Sequence, residues 1–221
     1  MNESKVKNIY QDAFRQYGRS REAILWPKGC QAERFATLTA PIPRTKKGFS
    51  VLDYGCGFAD LKTYLDEHFE GVSYTGVDIV PEFIEQCRKE HPDGNFILLE
   101  QGQDVPGEYD YTFIVGVFNL QYLPGLEENR RFVYSVLERL FRQTKIMLGV
   151  NMLTDQVDFM KEGAYHQNAP HLYEHARKNW SRRLILNQST FPYEFFLMLF
   201  QNREIIPGTS IYDDPDGTCA G

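Results

Sequence analysis

The sequence predicts an α/β fold in which a mostly parallel sheet is covered by helices on both faces. Strand-length apolar runs alternate with amphipathic helical stretches from residue 49 onward, and a glycine-rich turn follows the first of these runs. The chain has no internal repeat and no apolar run near the roughly 20 residues that a membrane helix requires. Alternation of this kind places parallel strands side by side, with helical crossovers between them. We therefore expect one doubly wound domain.

Two helical stretches precede the sheet. One face of the first carries apolar side chains at helical spacing, namely Val6, Ile9, Tyr10 and Phe14. A second helix is expected after Pro27, and residues 41–48, with two prolines and a basic run ending in glycine, are typical of a loop. We therefore expect residues 1–48 to form a helical cap on the main domain.

The main domain is predicted over residues 49–208. Its strands are expected at residues 49–54, 72–77, 96–99, 111–117 and 146–150, and its helices at residues 59–69, 81–90 and 129–141. Beyond residue 170 the pattern predicts a helix and then two strands, at residues 183–186 and 193–200. Residues 209–221 are acidic and rich in turn residues, which is typical of a poorly ordered tail.

Composition and charge narrow the class of protein. Apolar residues make up 42% of the 221 residues and charged residues 24%, which is a globular balance. The formal net charge of −6 disfavours nucleic acid as the main partner, since phosphate binding needs clustered lysine and arginine. The four cysteines lack metal-ligand spacing, so we expect no metal. With no secretion signal or membrane span in the sequence, we expect a reduced, cytoplasmic protein without a membrane partner.

The strongest chemical signal is the turn after the first strand, where residues 51–60 read Val-Leu-Asp-Tyr-Gly-Cys-Gly-Phe-Ala-Asp. Gly55 and Gly57 allow a tight turn and a close approach by a ligand. In a doubly wound sheet, ligands bind in the crevice at the carboxyl ends of the strands. A turn can also need its glycines for backbone reasons alone, so this turn by itself does not identify a ligand.

Three carboxylates near this turn narrow the choice of ligand. Asp78 ends the second strand about twenty residues after the turn, where a carboxylate can accept hydrogen bonds from both ribose hydroxyls. Asp60 stands where a dinucleotide fingerprint has its third glycine, and Asp53 adds a further negative charge. Carboxylates suit a ligand with an amino group and a sulfonium better than they suit a pyrophosphate. The electrostatics therefore favour a cationic adenosyl compound over NAD.

These motifs resemble a known family. Leu-Asp-Tyr-Gly-Cys-Gly at residues 52–57, followed by Gly-Val-Asp-Ile at residues 76–79, resembles the first two motifs of class I methyltransferases that use S-adenosylmethionine (SAM). Asp60 departs from the family's commoner third glycine. Softer resemblances point to a small group of these enzymes, often encoded among genes for surface polysaccharides or specialised metabolites. They lie at residues 17–20, 25–35, 116–119, 151–154 and 191–196.

The resemblance implies a Rossmann-like, doubly wound sheet of seven strands with the last strand antiparallel. A short connection between the last two predicted strands supports this, because a hairpin joins antiparallel neighbours and a parallel pair needs a long crossover. The implied activity is methyl transfer from SAM to a small-molecule acceptor, and our main hypothesis is that the accepting atom is oxygen. The oligomeric state and the acceptor itself stay open.

The resemblance also implies roles for single residues in binding SAM. The ribose would be held by Asp78, and one face of the adenine would be covered by Ile79. The methionine part would be lined by Gly55, Cys56 and Gly57, with Asp53 nearby, and Asp60 is added to this site on its charge alone. The adenine edge would meet Gln101, Gly102, Gln103 and Asp104, and the sulfonium would face Gly116, Val117 and Phe118.

Two cap residues would complete the cofactor site. Trp26 and Arg34 would close over SAM, with Arg34 pairing with the cofactor's carboxylate through charge-assisted hydrogen bonds. The alternative is that Trp26 is a packing residue and Arg34 a surface residue.

A hydroxyl acceptor benefits from a base, for which histidine is well suited. His166 is the first candidate and His171 the second, because both fall in or near a long stretch, residues 151–169, that is predicted to be a lid. Asn119 could orient the acceptor. The alternative for His171 is a surface position on a helix, beside His175.

Other functions stay open on the sequence alone. An NAD-dependent oxidoreductase is disfavoured by Asp60. A SAM-binding protein without catalysis retains the same cofactor motifs, so only turnover distinguishes it. A nucleic-acid methyltransferase is disfavoured because the chain has neither an Asn-Pro-Pro-Tyr motif for a flipped base nor an added recognition domain.

Overall fold

The computed structural model describes residues 3–26, 29–100 and 103–201. The cap contributes α1 (Glu3–Tyr17) and α2 (Gln31–Thr39). The remaining elements follow in this order: β1 (Ser50–Tyr54), α3 (Asp60–His68), β2 (Ser73–Asp78), α4 (Pro81–Glu90), β3 (Asn95–Leu98), β4 (Tyr109–Val115), α5 (Leu126–Arg142), β5 (Thr144–Leu153), α6 (Ala169–Asn179), β6 (Leu184–Asn187) and β7 (Glu194–Phe200). A short 3-10 turn, Val117–Asn119, follows β4.

The sheet has seven strands in the order β3-β2-β1-β4-β5-β7-β6. Pairs among β1 to β5 are parallel, whereas β7 runs antiparallel to both β5 and β6. The connection from β6 to β7 spans only residues 188–193, which permits a hairpin and excludes a helical crossover. The predicted Rossmann-like sheet with an antiparallel last strand is confirmed.

Apolar side chains cover both faces of the sheet. On one face, the core includes Leu137 of α5 and Leu172 of α6. On the other face it includes Leu38 of α2, Leu65 of α3 and Ile84 of α4. Burial on both faces explains why strands such as β7 are almost continuously apolar, since no side of such a strand meets water.

The cap packs directly against the sheet domain. Phe14 of α1 contacts the ring of Phe83 at a centroid distance of 5.8 Å, and Arg19 forms an ion pair of 3.0 Å with Glu90. The division at residue 48 stays a prediction, and the predicted tail, residues 209–221, lies outside the described residues. Nowhere in the described chain is a helix both long and apolar enough to span a membrane.

The predicted lid is shorter than expected. Asn151, the expected first residue of the lid, lies inside β5, where it pairs with Phe196 of β7. This ladder keeps the chain extended to Leu153, which places the lid segment at residues 154–168. Two isolated bridges hold the lid segment, one from Thr154 to Gln167 and one from Leu120 to Ala164.

Candidate cofactor site

The glycine turn after β1 is fixed to the end of β2. The backbone N–H groups of Gly55 and Cys56 both donate to the carbonyl of Val77, at 2.8 and 3.0 Å. Gly55 has a φ of +79°, which favours glycine, and a methyl group at this position would overlap Cγ2 of Val117. The sequence therefore needs a glycine here for both conformation and space.

Asp78, the last residue of β2, binds the same turn. One of its carboxylate oxygens accepts from the N–H of Gly57 at 2.9 Å, and the other accepts from the N–H of Val80 at 3.0 Å. Burial raises the pKa of Asp78 to about 6 despite these hydrogen bonds. Each carboxylate oxygen can accept a further hydrogen bond, so the group retains capacity for two ribose hydroxyls.

Asp53 is a second buried carboxylate beside the turn. Its Oδ2 accepts a hydrogen bond of 2.6 Å from the hydroxyl of Tyr74. Burial raises the pKa of Asp53 to about 7, and the charges of Asp78 and Asp60 add to that rise. A cation placed nearby would lower the pKa of Asp53 again, since a positive charge favours the ionised carboxylate.

A cleft of about 1020 Å³, including space open to solvent, lies at the carboxyl ends of β1, β2 and β4. All its charged lining residues, within the described ranges, are carboxylates: Asp53, Asp60 and Asp78. The site therefore suits the ammonium and sulfonium charges of SAM and opposes a pyrophosphate. Other predicted residues that line the cleft are Trp26, Gly55, Cys56, Gly57, Ile79, Gly116, Val117 and Phe118.

The cleft also has aromatic lining residues that the sequence analysis did not assign to it. Tyr10 lines the cleft, where burial raises the pKa of its phenol and the nearby charge of Asp78 adds to that rise. The place of Tyr10 on the apolar face of α1 indicated only that it belongs to the core. Nothing in the sequence distinguished a core residue from one that also lines the cleft. Further unassigned aromatic residues in the lining are Phe35, Tyr54, Phe58, Phe83, Tyr122 and Phe132.

Of the residues predicted to meet the adenine edge, the two that the structure describes, Gln103 and Asp104, are not in the cleft lining. Gln101 and Gly102 lie outside the described residues. Gln103 is exposed, and its side chain accepts from the backbone of Glu100 at 3.1 Å. Asp104 is an exposed residue that forms an ion pair of 3.0 Å with Arg139 of α5.

The two cap residues differ in position. Trp26 lines the cleft, and a methyl group at Gly116 would overlap Cζ2 of its indole. Arg34 is 7% exposed and does not line the cleft, because its guanidinium forms a two-pronged ion pair with Glu194 of β7. Pairing of Arg34 with the carboxylate of SAM stays a prediction, and it would require that ion pair to open.

The three catalytic candidates also lie outside the cleft lining. His166 is in the lid segment, where its Nδ1 donates to the carbonyl of Thr154 at 2.8 Å. Asn119 ends the 3-10 turn, and its carbonyl accepts from the N–H of Tyr165 at 2.9 Å. His171 is exposed on α6, where its Nδ1 lies 3.1 Å from the hydroxyl of Tyr134.

Two atoms of these candidates are buried without a partner among the described residues. They are Nε2 of His166 and Oδ1 of Asn119. Both are hydrogen-bond acceptors when the histidine is neutral. The structure thus brings Asn119 close to the lid residue that precedes His166, whereas His171 contacts Tyr134 of α5. No group of three or more potential metal ligands occurs in the described parts of the chain.

Comparison with known proteins agrees with this geometry. Residues 51–143 match the model of a family described as a methyltransferase domain. Rv1506c of Mycobacterium tuberculosis strain H37Rv, provisionally named a methyltransferase, is 25% identical over 156 residues, which cover 68% of this chain and 92% of that protein.

Solved structures share the fold. Magnesium protoporphyrin IX methyltransferase from Synechocystis PCC 6803, with bound SAM, is similar with a TM-score of 0.59 and 18% identity, over 89% of this chain and 97% of that chain. N-methyltransferase NodS from Bradyrhizobium japonicum WM9, in complex with S-adenosylhomocysteine (SAH), has a TM-score of 0.63 and 14% identity, over 89% and 100%. The matched domain, the fold and the acidic cleft agree: residues 51–143 carry a methyltransferase domain, and the protein is a methyltransferase that uses S-adenosylmethionine as its cofactor.

Proposed function

We propose that the protein transfers the methyl group of SAM to a hydroxyl oxygen of a small molecule. The observation that carries the cofactor part is the charge of the cleft, in which three carboxylates and no described cation line the space beside the glycine turn. When bound, SAM supplies an electrophilic methyl group on a positively charged sulfur. The protein's residues bind and orient it and exclude water.

Within this proposal, Asp78 accepts hydrogen bonds from the ribose hydroxyls, and Asp53 faces the amino group of the methionine part. The support is position: Asp78 ends β2 directly against Gly57, and Asp53 lies in the adjacent strand. Ile79 covers the adenine and Gly116 lies by the sulfonium. All four residues line the same cleft.

The small size of the acceptor is supported by the form of the cleft. Its lining beyond the carboxylates is dominated by aromatic rings, including Phe35, Tyr122 and Phe132, which suit a compact apolar molecule. The solved relatives also include proteins named for small acceptors, such as 1,6-didemethyltoxoflavin-N1-methyltransferase of Burkholderia thailandensis.

Transfer to oxygen is supported by the tautomer of His166. The carbonyl of Thr154 can only accept, so Nδ1 carries a proton and Nε2 of the neutral ring holds a lone pair. That Nε2 is buried and has no described partner. An imidazole fixed in this way can take a proton from a hydroxyl, provided that the lid segment brings it to the acceptor.

A panel of phenols, alcohols and amines, assayed for conversion of SAM to SAH, tests the proposal. With the best hydroxyl acceptor, we expect His166→Ala to lower kcat by about 10²–10⁴ with little change in SAM affinity. His171→Ala is the matched control and should retain kcat, because His171 packs on Tyr134 of α5. Turnover of amines alone, or full activity of His166→Ala with a hydroxyl acceptor, would overturn the assignment to oxygen. Absence of SAM binding would overturn the whole proposal.

A further inference from the structure

The guanidinium of Arg34 lies between two aromatic rings. Its Cζ is 4.1 Å from the ring centroid of Trp26 and 4.3 Å from that of Phe191. Trp26 in turn contacts Gly116 at the end of β4, so that cap, sheet and the β6–β7 connection meet in one stack. Cation–π contacts of this kind are favourable because the face of an aromatic ring is electrostatically negative.

A buried ion pair fixes the position of that guanidinium. Its Nε donates to Oε2 of Glu194 at 2.7 Å, and its Nη2 donates to Oε1. The same Oε2 accepts 2.8 Å from the amide of Asn151 in β5, whose own Oδ1 has no described partner. Because Glu194 and Asn151 belong to paired strands of the sheet, the cation is anchored to a rigid support.

Arg34 also binds the backbone of the chain segment that carries Trp26. Its Nη1 donates to the carbonyls of Gly29 and Cys30, at 3.2 and 2.7 Å. Leu25 and Cys30, on either side of Trp26, both adopt positive φ values of 59° and 64°. Left-handed conformations are unfavourable for such residues, so the surrounding contacts must hold them.

We propose that Arg34 and Glu194 are a positioning pair that holds Trp26 across the cleft, where it closes over the methyl-donor end of SAM. This inference rests on the proposed cofactor site. Arg34 acts here through Trp26 and does not itself contact the cofactor. Stability alone is a poor reason to keep such a pair, because a buried ion pair can often be replaced by uncharged residues without loss.

The test compares a charge-free variant with the wild-type pair. In Arg34→Met/Glu194→Gln, both charges are removed together, and the new amide can pair with both polar atoms of Asn151. All variants are made in a Trp180→Phe background, so that Trp26 is the only tryptophan. Trp180→Phe alone is the control and must show the SAH affinity of the wild type.

We expect the charge-free variant to keep its melting temperature within a few degrees. Its Trp26 emission should shift to the red without ligand, and its affinity for SAH should fall at least tenfold. In a Trp26→Ala background, the same change should have no further effect on SAH affinity, because the pair acts through the indole. If the variant does not fold, Arg34→Lys, which keeps the buried charge paired, takes its place in this cycle.

Two results would overturn the inference. One is unchanged Trp26 emission together with wild-type SAH affinity in the charge-free variant. The other is a further loss of SAH affinity in the Trp26→Ala background that is as large as the loss measured with Trp26 present. Failure of the proposed cofactor site looks different, since the wild type itself would then not bind SAH, while the emission shift of the ligand-free variant would still report on the pair.

Discussion

The indole of Trp26 lies so close to Gly116 that the glycine has no room for a side chain: an added methyl group would overlap Cζ2 of the ring. We expect Gly116→Ala to lower stability by about 1–3 kcal/mol beyond its backbone cost, because either the strand end or the indole must move. SAM affinity should fall as well, since both residues line the cleft. Urea unfolding and calorimetric titration measure the two effects.

Gly48→Ala is the matched control for this prediction. Gly48 also has a positive φ, of +62° against +72° for Gly116, but nothing lies within 4 Å of the position of an added methyl group. Both variants therefore carry the backbone cost, and only Gly116→Ala carries the clash. Equal losses of stability in the two variants would show that Trp26 does not rest on Gly116.

The second prediction concerns Gly55 and Val117, which meet where the glycine turn crosses the end of β4. Gly55→Ala should be destabilising and should weaken SAM binding, because the new methyl group overlaps Cγ2 of Val117. Val117→Ala removes that atom, so the double variant should recover part of the loss. A double-mutant cycle by urea unfolding measures the coupling. Additive effects would contradict the contact.

The third prediction concerns the carboxylate of Asp78. Asp78→Ala should weaken SAM binding at least tenfold, since the loss of hydrogen bonds to a charged group costs about 1.5–3 kcal/mol. Asp78→Asn should lose less, because its remaining oxygen can still accept from the turn. Calorimetric titration with matched melting curves separates binding from folding. Equal SAM affinity of the wild type and Asp78→Ala would remove Asp78 from the site.

The fourth prediction is a pH dependence of stability. Burial raises the pKa of Asp53 to about 7 and that of Asp78 to about 6, so the folded protein binds these protons more tightly than the unfolded chain does. Their contribution to stability is therefore fully present below the unfolded pKa of 3.8 and is lost as the pH rises from there to about 7. Urea unfolding should show a steeper fall over this range for the wild type than for Asp53→Asn. Parallel curves would contradict the raised pKa.

The fifth prediction concerns SAM affinity over the same range. A cation binds more tightly to the ionised carboxylates, so SAM affinity should rise from pH 5.5 to pH 8. SAH has no sulfonium charge, and its affinity should rise less. The difference between SAM and SAH in parallel titrations isolates the cation. An equal pH dependence for the two ligands would mean that these carboxylates do not sense the sulfonium.

The parts of the molecule that the sequence predicted well depend on local pattern. Alternating apolar runs gave the strands to within a few residues, and the glycine turn with Asp78 located the cleft. In these segments the neighbours along the chain determine the conformation. Asp60 indicated the charge of the cleft for the same reason. It is the first residue of α3, so its position relative to Gly55 follows from the local chain.

Local pattern in the sequence could not predict which residues form ion pairs with long charged side chains. Arg34 pairs with Glu194, 160 residues away, and Asp104 pairs with Arg139 of α5. Such pairs depend on which strands become neighbours, and the placement of β7 beside β5 decides the first of them. A glutamate at the start of an otherwise apolar strand was the one available signal, because a buried carboxylate needs a partner.

The position of β7 has a consequence for the order in which this protein assembles. β7 comes last in the described chain, yet it fills an internal place between β5 and β6. While the chain is being synthesised, β5 must present an unpaired edge until residues 194–200 have left the ribosome, which is a period of exposure to wrong pairing. Arg34, made early, also has no partner until Glu194 arrives. We therefore expect the cofactor turn to form early and the cap to fasten only when synthesis of the sheet is complete.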